Sequence, residues 1–146
     1  MRNHLKQLEN ISGDTLIITA TQPLFPLKGM AELVDWRLNS LLSRMVIDEK
    51  YDASPGDTIL LPCKDKLPVE RVIIVGLDKN IKHEIVRILK GFKSKECSIT
   101  FPKDFKKDLR SFFFDEILVH SFSWDKIEEK ELGDENLIIL NKIQYG

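Results

Sequence analysis

Ser54-Pro55-Gly56-Asp57-Thr58-Ile59-Leu60-Leu61-Pro62, followed by Val69-Glu70-Arg71-Val72-Ile73-Ile74-Val75-Gly76-Leu77-Asp78, decides the fold of this chain. Both segments are runs of β-branched and aliphatic residues bounded by proline or glycine, which marks two buried strands, over 57–62 and 70–76. The linker Cys63-Lys64-Asp65-Lys66-Leu67-Pro68 is short and basic. It is short enough for a hairpin, so the two strands are expected to pair antiparallel.

Working upstream, Met30, Leu33, Val34, Leu38, Leu41, Leu42, Met45 and Val46 recur at the spacing of a core-facing helix, with Trp36 off the stripe. The spacing predicts one helix over 30–46, preceded by Gly29. Thr15-Leu16-Ile17-Ile18-Thr19-Ala20 has little alternation, as in a strand covered on both faces, and follows the turn signal Gly13-Asp14. Pro23 and Pro26 make the intervening loop stiff. Downstream, Ile81, Ile85, Ile88, Leu89 and Phe92 share one face of a helix over 81–93, and Ser98-Ile99-Thr100-Phe101 is a strand closed by Pro102. Residues 103–113 read as a basic amphipathic helix with Phe105, Leu109, Phe112 and Phe113 inward. Residues 116–122 read as a strand, with a helix continued through Val119 as the competing reading. Residues 124–132 read as a short helix or loop, and Asn136-Leu137-Ile138-Ile139-Leu140-Asn141 as a last strand. Strands alternating with helices predict an α/β sandwich with a mixed sheet and helices on both faces.

The chain has 146 residues, a size that suits one domain over 1–146 with its own core. Such a domain buries roughly 70% of the surface its unfolded chain exposes, so it needs neither disulfides nor metal to stand. Lys and Arg number 22 against 23 Asp and Glu, for a net charge of −1. That balance gives no general pull toward nucleic acid or an anionic membrane. Cys63 and Cys97 are two thiols without a disulfide framework and are expected to be reduced and at least partly buried. His4, His83 and His120 stand at no metal-ligand spacing. The first residues lack an apolar leader core, and no apolar run approaches the ~20 residues that span a bilayer, so a cytoplasmic protein is expected.

Few residues carry a chemical signal. Gly76-Leu77-Asp78 sits between a strand and a helix, where α/β proteins bind ligands, but one glycine makes neither a dinucleotide fingerprint nor a phosphate loop. Pro26-Leu27-Lys28-Gly29 is a second candidate anion site at a helix start. Ser40, Ser43, Ser54, Ser111 and Ser121 lack a nucleophile-elbow context. His120 is expected as a structural histidine in a strand and His83 as an exposed one. The acidic stretches 125–131 and Asp134-Glu135 are expected to be solvated. Lys103-Asp104-Phe105-Lys106-Lys107-Asp108-Leu109-Arg110 superficially matches a nucleic-acid surface, but Asp104 and Asp108 largely cancel it.

Gly13-Asp14-Thr15-Leu16-Ile17-Ile18, the stretch from Leu33-Val34-Asp35-Trp36-Arg37-Leu38 to Leu42-Ser43-Arg44, Gly56-Asp57-Thr58-Ile59-Leu60-Leu61-Pro62 and Glu70-Arg71-Val72-Ile73-Ile74-Val75-Gly76-Leu77 together cover about half the chain. As a set they resemble the N-terminal domain of the leucyl (cytosol) aminopeptidase family. The resemblance implies a macro-domain-like three-layer α/β/α sandwich. In that family the domain precedes a larger catalytic domain that carries two metal ions. No Asn-Thr-Asp-Ala-Glu-Gly-Arg segment occurs in this sequence, so no catalytic or metal-binding residue carries over. The family associates this domain with oligomer assembly and, in some bacterial members, with DNA contact. Ligand-binding macro domains use a glycine-rich phosphate loop, whereas the corresponding stretch 19–29 has two prolines and one glycine.

The expectation is therefore a stand-alone, non-enzymatic relative of that domain, without cofactor or metal, acting through a protein partner or as a homo-oligomer. The competing reading is a macro-like module that holds a nucleotide or another phosphate-containing small molecule through Lys28, Gly29, Gly76 and Asp78. A hydrolase using Ser, Cys or His and a DNA-binding protein are the remaining alternatives.

Overall fold

A computed structural model describes residues 7–49, 51–63, 65–105 and 112–145. Eight strands are assigned among them: β1 (Thr15–Ala20), β2 (Thr58–Pro62), β3 (Arg71–Gly76), β4 (Cys97–Pro102), β5 (Phe122–Ser123), β6 (Lys126–Leu132), β7 (Glu135–Asn141) and β8 (Gln144–Tyr145). The helices are α1 (Gly29–Arg37), α2 (Leu41–Glu49), α3 (Ile81–Phe92) and α4 (Glu116–Val119). Most of the helix expected over 103–113, together with Ser111 and His4, lies outside the described residues.

Six strands form a mixed sheet in the order β2-β3-β1-β4-β7-β6, and β5 pairs with β8 in a small second sheet. β1 runs parallel to β3 on one side and to β4 on the other. The remaining pairs are antiparallel, including the expected β2–β3 hairpin. Central parallel strands must be apolar on both faces, and β1 and β3 are buried along almost their whole length. Leu16 and Ile18 of β1 pack with Met30, Leu33, Val34, Leu42 and Val46 of α1 and α2. Ile17 packs on the other face with Ile85 and Leu89 of α3 and with Phe101, Phe113 and Leu118. These two cores make the α/β/α sandwich.

Three elements and one side chain differ from the sequence reading. The single helix over 30–46 is two helices, because Asn39 and Ser40 adopt left-handed conformations with φ of 57° and 66°. The apolar stripe runs on through the break, which is why periodicity did not reveal it. Asp35 supports the restart: its Oδ1 accepts from the Ser43 N–H at 2.8 Å and its Oδ2 from the Ser43 hydroxyl at 2.6 Å. Residues 116–119 are helical rather than extended, because the Asp115 side chain accepts from the Ile117 N–H at 2.9 Å and caps a short turn. His120 consequently lies exposed at the end of that helix, not in an apolar strand. Residues 126–132 form a strand instead of a helix or loop, since Gly133-Asp134 turns them back along β7. Finally, Phe92 is 41% exposed, and the Arg71 guanidinium lies 4.7 Å from its ring centre.

The division of the α2 face is testable. Leu42 is fully buried, whereas Leu41 is only partly so. Leu42→Ala is expected to lower the unfolding free energy by about 2–5 kcal/mol, and Leu41→Ala by clearly less. Equal losses in urea denaturation would contradict this assignment.

Candidate functional site

From β1 the chain passes through α1 and α2 on one face and returns through β2 to β3. From β3 it crosses through α3 on the opposite face to β4, on the other side of β1. Such a reversal opens a crevice at the carboxyl ends of the central strands, where α/β proteins place their ligands. The crevice here is lined by Thr19, Ala20 and Thr21 at the end of β1, Pro102 at the end of β4, the proline loop, Lys28 and Gly29 at the start of α1, and Asp134 and Glu135. It encloses about 180 Å³. That is below the roughly 300–1,000 Å³ usual for a cofactor-sized ligand.

The chain fills the anion-binding part of this crevice itself. One of the free amides in the first turn of α1, the Met30 N–H, donates to Glu135 Oε1 at 2.6 Å. Gly29 has φ of +56°, and the place its Cβ would take is occupied by the Glu135 carboxyl group. Only glycine lets that carboxyl sit so close to the helix start. Burial pushes the Glu135 carboxyl up, the Met30 hydrogen bond opposes this, and Asp134 adds to it, leaving a pKa of about 7. The expectation that Asp134-Glu135 is a solvated pair is therefore corrected for Glu135. Nothing in the sequence signals this contact, because Met30 and Glu135 are 105 residues apart.

The proline loop is likewise satisfied from within. Asp52 accepts from the Leu24 N–H at 3.0 Å and from the Gln22 amide at 3.3 Å. Both Pro23 and Pro26 follow cis peptide bonds, and Leu24 is buried in the core between them. Of the four residues that the competing reading offers as a ligand loop, the structure brings Lys28 and Gly29 into the crevice, with Lys28 exposed. Gly76 and Asp78 do not line it. The Gly76 N–H donates to the Asp57 carbonyl at 2.9 Å, and its own carbonyl accepts from the Gly56 N–H at 3.0 Å. A Cβ at Gly76 would collide with the Ser54 carbonyl, so this glycine serves close backbone packing. Asp78 turns the chain into α3 by accepting from the Asn80 N–H at 2.8 Å.

The other candidates are dispersed. Cys63 and Cys97 are both buried and free, as expected. Burial raises the Cys63 thiol to about 11, partly opposed by Arg71, and raises Cys97 as well, so both stay protonated at neutral pH. Ser43 is bound to Asp35, Ser121 to the Ile117 carbonyl, and Ser54 to Gln22. His83 is exposed on α3, as expected. Among the described residues no group of three or more His, Cys, Asp or Glu side chains is placed to hold a metal ion, so no chemical step is derived through one. Nor is any described helix long and apolar enough to cross a membrane.

No family model matches the chain. It is similar to curated proteins named probable cytosol aminopeptidase. It is 28% identical over 100 residues to that of Sulfurihydrogenibium sp. (strain YO3AOP1), a match covering 65% of this chain and 20% of the relative. It is 25% identical over 107 residues to those of Trichormus variabilis and Nostoc punctiforme, covering 66% of this chain and 22% of each. The chain thus spans about a fifth of the length of the curated relatives it matches. The similarity is distant and fits a domain related to leucyl aminopeptidases. It also overturns the expectation that the protein is not an enzyme: these relatives are all named as aminopeptidases, and they point to a peptidase family.

Glu135 makes the site testable by pH. Its carboxyl is raised from 4.5 to about 7, so the folded state holds a proton that the unfolded chain has lost. Stability from this group is present below about pH 4.5 and declines as pH rises through about 7. Glu135→Gln keeps the shape without the charge. It should match the parent near pH 4.5 and exceed its unfolding free energy by about 2–4 kcal/mol at pH 8. Parallel pH profiles for the two proteins would show that Glu135 is not the group described here.

Proposed function

We propose that this chain is the N-terminal-type domain of a cytosol-aminopeptidase-related peptidase and that its work in that protein is assembly, by contact with further copies of itself or with the peptidase. The observation that carries the reading is the match to about a fifth of the length of several cytosol aminopeptidases. The crevice supports a contact role over capture of a small anion. Glu135 takes the Met30 N–H, one of the main-chain donors that a phosphate would seek at the start of α1, and its negative charge, when ionised, would also repel the ligand. The surface supports it too, since Trp36, Ile47, Leu60, Phe92 and Phe114 are large apolar side chains left exposed.

Light scattering tests the proposal on the 16.9 kDa chain alone and mixed with the probable cytosol aminopeptidase of Sulfurihydrogenibium. The expected result is a particle heavier than one chain in the first sample, or co-elution with the aminopeptidase in the second. A strict monomer in both samples contradicts the assembly role.

A further inference from the structure

The six-stranded sheet ends in β2 on one side and β6 on the other, and the two edges are built differently. β6 reads Lys126-Ile127-Glu128-Glu129-Lys130-Glu131-Leu132, a charged strand of the kind that discourages further pairing. β2 reads Thr58-Ile59-Leu60-Leu61-Pro62 and carries no charge. Its side chains alternate. Ile59 and Leu61 are buried under α1 and α2, while Thr58, Leu60 and Pro62 are exposed on the α3 side, Leu60 to 46%.

The main-chain direction of β2 follows from its entry. Gly56, at φ of +84°, and Asp57 together oppose Gly76, with the Gly56 N–H bonded to the Gly76 carbonyl and the Gly76 N–H to the Asp57 carbonyl. That is a β-bulge, and it sets the alternation that follows. With the Asp57 carbonyl turned toward β3, the amides and carbonyls of Ile59 and Leu61 also face β3, opposite Ile74 and Val72. Those of Thr58 and Leu60, and the Pro62 carbonyl, face away from the sheet. Among the described residues they have no hydrogen-bond partner there.

We infer that β2 is the surface through which two copies of this chain join, antiparallel about a twofold axis through Leu60. The inference rests on the assembly reading and names its contact. A twofold antiparallel pairing centred on Leu60 sets Thr58 opposite Pro62 of the second copy and Ile59 opposite Leu61. The two Leu60 residues then exchange both main-chain hydrogen bonds, and each Thr58 N–H meets a Pro62 carbonyl, the one main-chain bonding group that Pro62 has. The exposed Leu60 side chains meet across the axis on the face that α3 leaves uncovered. A second copy fits this edge because the strand is its own complement.

Leu60 supplies the test. The parent is expected to scatter as twice its 16.9 kDa mass. Leu60→Lys sets two like charges opposite each other and should weaken self-association on the order of 100-fold. The thermal melt of this variant should stay cooperative, because the side chain is exposed. Leu60→Cys should form a disulfide-linked dimer under mild oxidation, since facing residues in such a pair lie within disulfide range and both native thiols are buried. A parent dimer that survives Leu60→Lys, or that gives no cross-link through Leu60→Cys, overturns the β2 contact and leaves the assembly reading standing. So does a parent that is monomeric alone yet binds the aminopeptidase. A monomer in both settings overturns the two together.

Discussion

The carboxylate of Asp14 holds the centre of this protein. Its Oδ1 accepts from the Ser94 hydroxyl at 2.6 Å and the Thr15 hydroxyl at 2.7 Å, with the Arg71 guanidinium at 3.4 Å. Its Oδ2 accepts from the Lys95 N–H at 2.8 Å and the Glu96 N–H at 3.4 Å. The Asp14 carbonyl accepts from the Glu70 N–H at 2.9 Å, and its own N–H donates to the Glu96 carbonyl at 2.9 Å. One residue therefore ties the entry of β1 to the entries of β3 and β4. Burial alone would raise this carboxyl, but the hydrogen bonds outweigh it and the net shift is downward. The cross-tie counters the cost of a parallel arrangement, in which neighbouring strands come from distant parts of the chain.

The rest of the architecture follows from that placement. With β1 fixed between β3 and β4, the free side of β3 is left to its hairpin partner β2. The bulge at Gly56, closed on Gly76, sets which main-chain groups of β2 face inward. One sheet edge is thus uncharged and open, while the other ends in the charged β6. The same strand order makes the crevice at the carboxyl end of β1, where Glu135 takes the Met30 N–H.

Much of this was legible in the sequence, and the exceptions have physical causes. β1, β3 and β7 each hold a continuous apolar run and β4 a β-branched alternation closed by Pro102, and these signals survive tertiary packing. The Asn39–Ser40 break left no trace because the buried stripe resumes in phase at Leu42. The helix at 116–119 depends on one capping contact from Asp115. The strand at 126–132 has a composition that suits a solvated helix as well as an edge strand, and only β7 beside it decides. Lys28 and Gly29 were legible as a helix start, but Glu135, which occupies that start, was not. Gly76 is a candidate ligand glycine only in the competing reading, because a strand–glycine–helix sequence looks the same whether the glycine approaches a ligand or, as here, the Ser54 backbone.

Amide hydrogen exchange at β2 separates a paired edge strand from a free one. The Ile59 and Leu61 amides face β3 and serve as an internal reference, slow to exchange whether or not the chain self-associates. The Thr58 and Leu60 amides face outward. They are expected to exchange freely in dilute protein and to become protected as concentration rises, while Ile59 and Leu61 stay unchanged. Thr58 and Leu60 amides that exchange equally fast at every concentration, in a sample that light scattering shows to be associated, would contradict the β2 contact.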